Sequence, residues 1–84
     1  MDIRIIVGDN IRGFRHQLDF TQEKLSVLAG LHINYISSVE RGERNVGIVN
    51  IVKIAKSLKI KPHLLFVENA YKLSPTELKQ RLLP

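Results

Sequence analysis

The stretch from Thr21 to Asn45 collects side chains able to recognise another molecule through hydrogen bonds and charge. Gln22, His32, Asn34, Tyr35, Ser37 and Ser38 carry amide, imidazole and hydroxyl groups, and Arg41, Arg44 and Asn45 follow closely. An asparagine amide matches the N6 and N7 edge of adenine. An arginine guanidinium makes charge-assisted, often bidentate, bonds to phosphate. Bond-breaking chemistry needs other sets: a nucleophile with a base, paired carboxylates or a metal cluster. His16, His32 and His63 share no metal-ligand spacing, and no HExxH or glycine-rich phosphate loop occurs. Ser37 and Ser38 have no obvious base nearby. The histidines read as surface or capping residues. The chain is read as a binding protein, not an enzyme, with no metal and no cofactor.

These residues must be held by helices. Leu25, Leu28 and Ala29 form the inner face of a short helix capped by Thr21. Ile36 and Val39 anchor the next helix, from about His32 to Arg41, and Gly42 stops it. Gly30 separates the two and tolerates a left-handed backbone without steric cost. Ser26 is small enough to face the point where the helices cross. A short first helix, a glycine turn and an anchored second helix meet the requirements of a helix-turn-helix.

The rest of the chain is also helical in period. Val7, Ile11, Phe14 and Leu18 line one face of a first helix, with Asp9 and Asn10 placed early in it. The run IRIIV at positions 3–7 is short and reads as an extension of that helix rather than a strand. After a turn at Asn45–Gly47, Ile48, Ile51, Val52, Ala55 and Leu58 give the inner face of a fourth helix, with Lys53, Lys56 and Lys59 outward. Pro62 opens a fifth helix carrying Leu64, Leu65 and Val67. Ser74, Pro75 and Glu77 form a capping box for a short sixth helix. The expected fold class is all-α: five helices in a compact domain over residues 1–71, and a C-terminal tail over 72–84.

Size and charge bound the function. At 84 residues this is one small domain, whose limited core favours oligomerisation as a further source of stability. Disulfides cannot serve, and the lack of cysteine fits a reducing cytoplasm. The net charge of +5 points to a polyanionic partner. No apolar run is long enough for a membrane span, and MDIRIIVGDN makes a poor signal peptide.

TQEKL, then AGL, then YISSVERGER resembles the lambda-repressor and Cro-like (XRE-type) helix-turn-helix family, over roughly residues 8–67. IVKIAKSLKIKPHLLF is similar to the family's fourth and fifth helices, and the size with ERGERN resembles in particular the restriction–modification controller proteins. The resemblance implies a lambda-repressor-like fold and a sequence-specific transcriptional regulator. It implies DNA contact by Gln22 at a helix start and by the first turns of the next helix, where His32, Ile33, Asn34 and Ser37 can reach base edges, Ser38 a base or phosphate, and Tyr35 a phosphate or sugar through its hydroxyl. His32 reads equally as the helix cap, and packing on the second helix is the lesser alternative for Tyr35. Ile33 departs from the pattern, since many relatives carry a polar base reader there. It can meet a thymine methyl or simply pack. Arg41, Arg44 and Asn45 are implied along the sugar–phosphate backbone, with Arg44 matching a residue that reaches a base. Arg15 and Glu40 match a pair that forms a partly buried salt bridge.

A regulator of this size reads a pseudo-palindrome as a dimer, with half-sites about 34 Å apart. Leu65, Phe66, Val67, Asn69 and Tyr71 are the expected dimer interface, with Phe66 equally a candidate for the core. The tail is expected to extend that interface through Leu73, Leu78, Leu82 and Leu83. The expected partners are operator DNA, a second copy of the chain and RNA polymerase, with no membrane. A phage-type repressor or antitoxin autoregulator uses the same domain. A protein-interaction module without DNA binding is the alternative of another class, favoured by Ile33 and opposed by Gln22, Arg41 and Arg44.

Overall fold

Asp2 starts the first helix. Its carboxylate accepts the backbone N–H of Arg4 at 2.9 Å and pairs with the Arg4 guanidinium at 2.7 Å. The hydrogen bonds from Arg4 hold the Asp2 carboxyl down to about 2. The computed structural model describes residues 2–81, with side chains through Leu78. Helices α1 (Ile3–Gln17), α2 (Gln22–Ala29), α3 (Ile33–Glu40) and α4 (Ile48–Ser57) come in that order. Two 3-10 turns follow, Pro62–Phe66 and Ala70–Lys72, before α5 (Pro75–Arg81). No strand occurs among the described residues, so IRIIV is helical. None of these helices is long and apolar enough to cross a membrane.

α1 and α4 enclose the helix-turn-helix. α1 packs on α3 and on both 3-10 turns, while α2 packs on α3 and α4. Ile11, Leu25, Ile36, Ile54 and Leu65 are fully buried where these elements meet. Val7 and Phe14 join them, and Leu18 packs on the rim. Gly8 lets α1 approach the end of α3: a Cβ there would lie 2.5 Å from the Val39 carbonyl oxygen.

The structure corrects several sequence expectations. Asp9 and Asn10 lie in the middle of α1, because Asp2 starts the helix earlier. Ile48 and Val52, expected on the inner face of α4, are exposed, and Ile54 takes the inner position beside Ile51, Ala55 and Leu58. That set keeps the i, i+3, i+4, i+7 stripe, and Val52 stands one residue, about 100°, away from it. Leu28 is likewise 47 % exposed, while Leu25, Ser26 and Ala29 face inward. The fifth helix is a 3-10 turn, in which the adjacent Leu64 and Leu65 are both buried. Leu65, expected at a dimer surface, has no exposed area. The capping box before α5 is formed: Ser74 N donates to Glu77 Oε1 at 3.1 Å, and Glu77 N to Ser74 Oγ at 3.2 Å. Leu78 reaches back to the core, whereas Leu82 and Leu83 lie outside the described residues.

Asn10 explains how the C-terminal third is held. It is fully buried, and its Nδ2 donates to the carbonyls of Leu65 at 2.9 Å and Val67 at 2.8 Å. These carbonyls end a 3-10 turn and have few helical partners of their own. Removing the amide takes this donor from the Leu65 carbonyl in the interior, while the Val67 carbonyl keeps the Ala70 N–H at 3.0 Å. Asn10→Ala is expected to cost about 1–3 kcal/mol of stability. Urea unfolding followed by circular dichroism measures this, and an unchanged midpoint would show that the carbonyls find other partners.

Candidate nucleic-acid interface

The helix-turn-helix is built by local caps. Thr21 Oγ1 accepts the Lys24 N–H at 3.0 Å and starts α2. Gly30 ends it at φ 67°, in the left-handed region. Ser26 is buried at the helix crossing, with its hydroxyl on the Glu23 carbonyl at 2.7 Å. His32 caps α3, its Nδ1 accepting the Asn34 N–H at 3.0 Å. Gly42, at φ 77°, closes α3 while Glu43 N donates to the Ser38 carbonyl. Ile36 and Val39, with at most 1 % exposure, anchor α3 in the core.

A charged cluster orients the two helices on α1. Glu40 is 2 % exposed and Arg15 8 % exposed. Arg15 Nε lies 2.7 Å from Glu40 Oε2, and Arg15 NH2 lies 2.9 Å from Oε1. Gln22 Nε2 donates to the same carboxylate at 3.1 Å. Arg15 NH1 donates to the Phe20 carbonyl at 2.8 Å, so the α1–α2 turn joins the cluster. Arg12 bonds the Glu40 main-chain carbonyl at 2.6 Å. Together these contacts tie α1, the turn, α2 and α3 at one point.

The outer face of α3 and the loop after it carry most of the expected recognition residues. His32, Ile33, Asn34, Arg41, Arg44 and Asn45 are exposed, and Ser37 is half-buried. Gln22 stands at the first turn of α2, half-buried, with its amide bonded to Glu40 rather than to solvent. Ser38 is the exception. It is 6 % exposed, donates to the Tyr35 carbonyl at 2.8 Å and accepts from Arg44 Nε at 2.9 Å. Its hydroxyl is thus occupied beneath the surface, which corrects the expectation of a direct base or phosphate contact. Tyr35 is half-buried beside the core, and its hydroxyl accepts from Asn50 Nδ2 at 3.2 Å.

The two loop arginines differ. Arg41 holds Glu43 through Nε at 3.0 Å and NH2 at 3.1 Å, and its NH1 reaches Ser37 Oγ at 2.6 Å. That hydrogen bonding keeps the Glu43 carboxyl below the usual range and raises the Arg41 guanidinium. Arg44 lies over the Tyr35 ring, with Cζ 5.7 Å from the centroid. Sequence reasoning missed Asn50 and Arg12. The available signal for Asn50 was a lone amide among the apolar residues that open α4.

The expected dimer residues divide. Leu65 is core, Val67 is half-buried with its carbonyl on Asn10, and Tyr71 packs its ring against Gly13 of its own chain. Phe66, at 47 % exposure, and Asn69 remain at the surface. The structure adds an apolar face on α4, where Ile48, Val49 and Val52 are 82 %, 65 % and 50 % exposed.

Caps, helix order and buried cluster define a helix-turn-helix domain. A family model described as helix-turn-helix matches residues 11–65, and the chain belongs to that family. Among its relatives are control proteins. The chain is 45 % identical over 58 residues to control protein C.SmaI of Serratia marcescens, covering 69 % of each. It is 44 % identical over 62 residues to control protein C.BamHI of Bacillus amyloliquefaciens, covering 73 % of this chain and 76 % of that one. Among solved structures, the restriction-modification controller protein C.AhdI from Aeromonas hydrophila superposes with a TM-score of 0.73 at 43 % identity. The match covers 75 % of this chain and 96 % of that one. A hypothetical transcription factor from Neisseria gives 0.79 at 31 % identity, over 96 % and 86 %.

The buried cluster yields a direct test. Glu40→Gln leaves Arg15 without its counter-charge at low exposure. The loss is expected to be about 3 kcal/mol or more, a large share of a small domain's stability. A variant that melts with the wild type would show that the bridge contributes nothing to the fold.

Proposed function

We propose that this protein is a sequence-specific, DNA-binding transcriptional regulator that controls a restriction–modification system. The observation that carries the reading is the outer face of α3 with its loop, where Asn34, Arg41, Arg44 and Asn45 stand exposed together beside Ile33. An α-helix fits the major groove, and the N-terminal residues of such a helix contact base edges. Asn34 supplies a paired amide for adenine, and Ile33 an apolar contact for a thymine methyl. The loop arginines suit phosphate and base acceptors. Gln22, at the N-terminal turn of α2, adds the positive helix end as a phosphate anchor. Likeness to control proteins supports the regulated system.

The working form is a dimer on a pseudo-palindromic operator. Its contact face is the apolar surface of Ile48, Val49, Val52 and Phe66, in place of the buried Leu65. Leaving four such residues in water is costly for so small a domain, and a second copy removes that cost. Operator DNA as the target, with RNA polymerase as a further partner, supports a cytoplasmic site of action. Arg41 and Arg44, with the net charge of +5, favour this reading over a protein-interaction module.

Two measurements test it. In a mobility-shift assay on operator DNA, a dimer touching about six phosphates loses on the order of a thousandfold in affinity between about 50 and about 200 mM salt. Arg41→Ala with Arg44→Ala flattens that slope while leaving the dimer intact, and a salt-independent wild type would overturn the mechanism. Val52→Glu is expected to shift the protein toward monomer in analytical ultracentrifugation, with the helical signal unchanged. A variant that sediments as the wild type would remove α4 from the interface.

A further inference from the structure

Arg41 and Arg44 carry the same charge but present it differently. The fork of Arg41 is occupied: Nε and NH2 hold Glu43, and NH1 holds Ser37. Arg44 commits Nε alone, to Ser38 Oγ at 2.9 Å. No hydrogen bond from its two terminal nitrogens is made among the described residues. Ser38 has one hydroxyl proton and donates it to the Tyr35 carbonyl at 2.8 Å. Its lone pairs therefore face Arg44 in a fixed direction. Below the guanidinium lies the Tyr35 ring, and Asn50 Nδ2 holds the hydroxyl of that ring at 3.2 Å.

We infer that Ser38 and Asn50 are positioning residues that hold Arg44 ready to read a guanine, a role that rests on the DNA-binding function proposed above. Ser38 pins the inner nitrogen of the guanidinium, and the guanidinium carbon stands over the Tyr35 ring, 5.7 Å from its centroid. The terminal NH1 and NH2 groups remain as a donor pair. Such a pair matches the O6 and N7 acceptors that guanine presents in the major groove. A long arginine side chain normally loses much rotamer freedom when it binds, and holding it beforehand lowers that loss. Ser38 is 6 % exposed, so it serves through Arg44 and does not touch the base. Asn50 acts one step further out, through Tyr35. Arg41 spends three of its five N–H donors on Glu43 and Ser37, and the remaining two suit a phosphate contact.

The test is selection of bound sequences from random duplex DNA by five proteins: wild type, Arg44→Ala, Ser38→Ala, Asn50→Ala and the double variant of Ser38→Ala with Arg44→Ala. Wild type is expected to enrich a pseudo-palindrome with a guanine in each half-site that Arg44→Ala no longer prefers. Ser38→Ala should weaken preference at that guanine by about fivefold to tenfold and leave the other positions unchanged. Asn50→Ala should weaken the same position less. The double variant Ser38→Ala, Arg44→Ala should match Arg44→Ala, because Ser38 then has nothing to position. Thermal melts monitor folding, and Asn50→Ala carries the test alone if Ser38→Ala fails to fold. Full preference at the Arg44-dependent guanine in the folded variants overturns the positioning role alone, as does a Ser38→Ala effect that persists without Arg44. A wild type that enriches no sequence overturns the regulator reading, and the positioning role with it.

Discussion

A carboxylate on the last turn of α3 sits with 2 % exposure, and the orientation of the whole recognition unit follows from what surrounds it. Glu40 cannot keep its charge there without compensation, since an isolated buried carboxylate is strongly disfavoured. Arg15 supplies two hydrogen bonds from α1, and Gln22 a third from α2. These bonds are directional, unlike the apolar contacts of Ile36 and Val39. Ile36 and Val39 turn one face of α3 to the core, and the guanidinium–carboxylate fork adds a directional constraint on the same rotation.

Scaffold and surface are interleaved residue by residue on α3. Ile36, Ser38, Val39 and Glu40 are buried, while Ile33 and Asn34 are exposed. An eight-residue helix leaves little room for both duties. Gln22 shows the consequence: its side chain is spent on Glu40, so its value at the surface lies in the helix start that it occupies. Ser38 shows it again, since its hydroxyl serves the loop from below. Asn10 has the matching role at the other end of the molecule, where one amide holds the turn after α4 against α1. Polar groups thus set the positions of elements that the apolar core only gathers together.

The domain also keeps a considerable apolar surface outside that core. Ile48, Val49 and Val52 on α4, with Phe66 after it, stand in solvent in a chain of modest size. The same α4 presents Ile51, Ile54, Ala55 and Leu58 inward, so it is apolar on more than one side. A helix of that kind belongs between two packed surfaces. One of them is α2 and the first 3-10 turn of its own chain.

Local chemistry made much of this protein legible from its sequence. Thr21, Gly30, Gly42 and the Ser74–Glu77 box mark helix ends through bonds to residues within a few positions, and all four occur as read. The stripe of Val7, Ile11 and Phe14 is equally local, because helical period places those side chains on one face. The family resemblance rested on such spacings and led to the pairing of Arg15 with Glu40, residues far apart in the chain. What tertiary structure alone decided was exposure. Val52 and Leu28 read as inward by period, and each came out on the surface because the neighbouring residue claimed the core. Ser38 read as a surface hydroxyl and is buried under Arg44, and Leu65 read as an interface and is core. Asn50 and Asn10 gained their roles from partners far away in sequence. Period and caps determine where a helix runs and ends. The rotation of that helix about its axis is set by contacts with other elements, and no local pattern contains them.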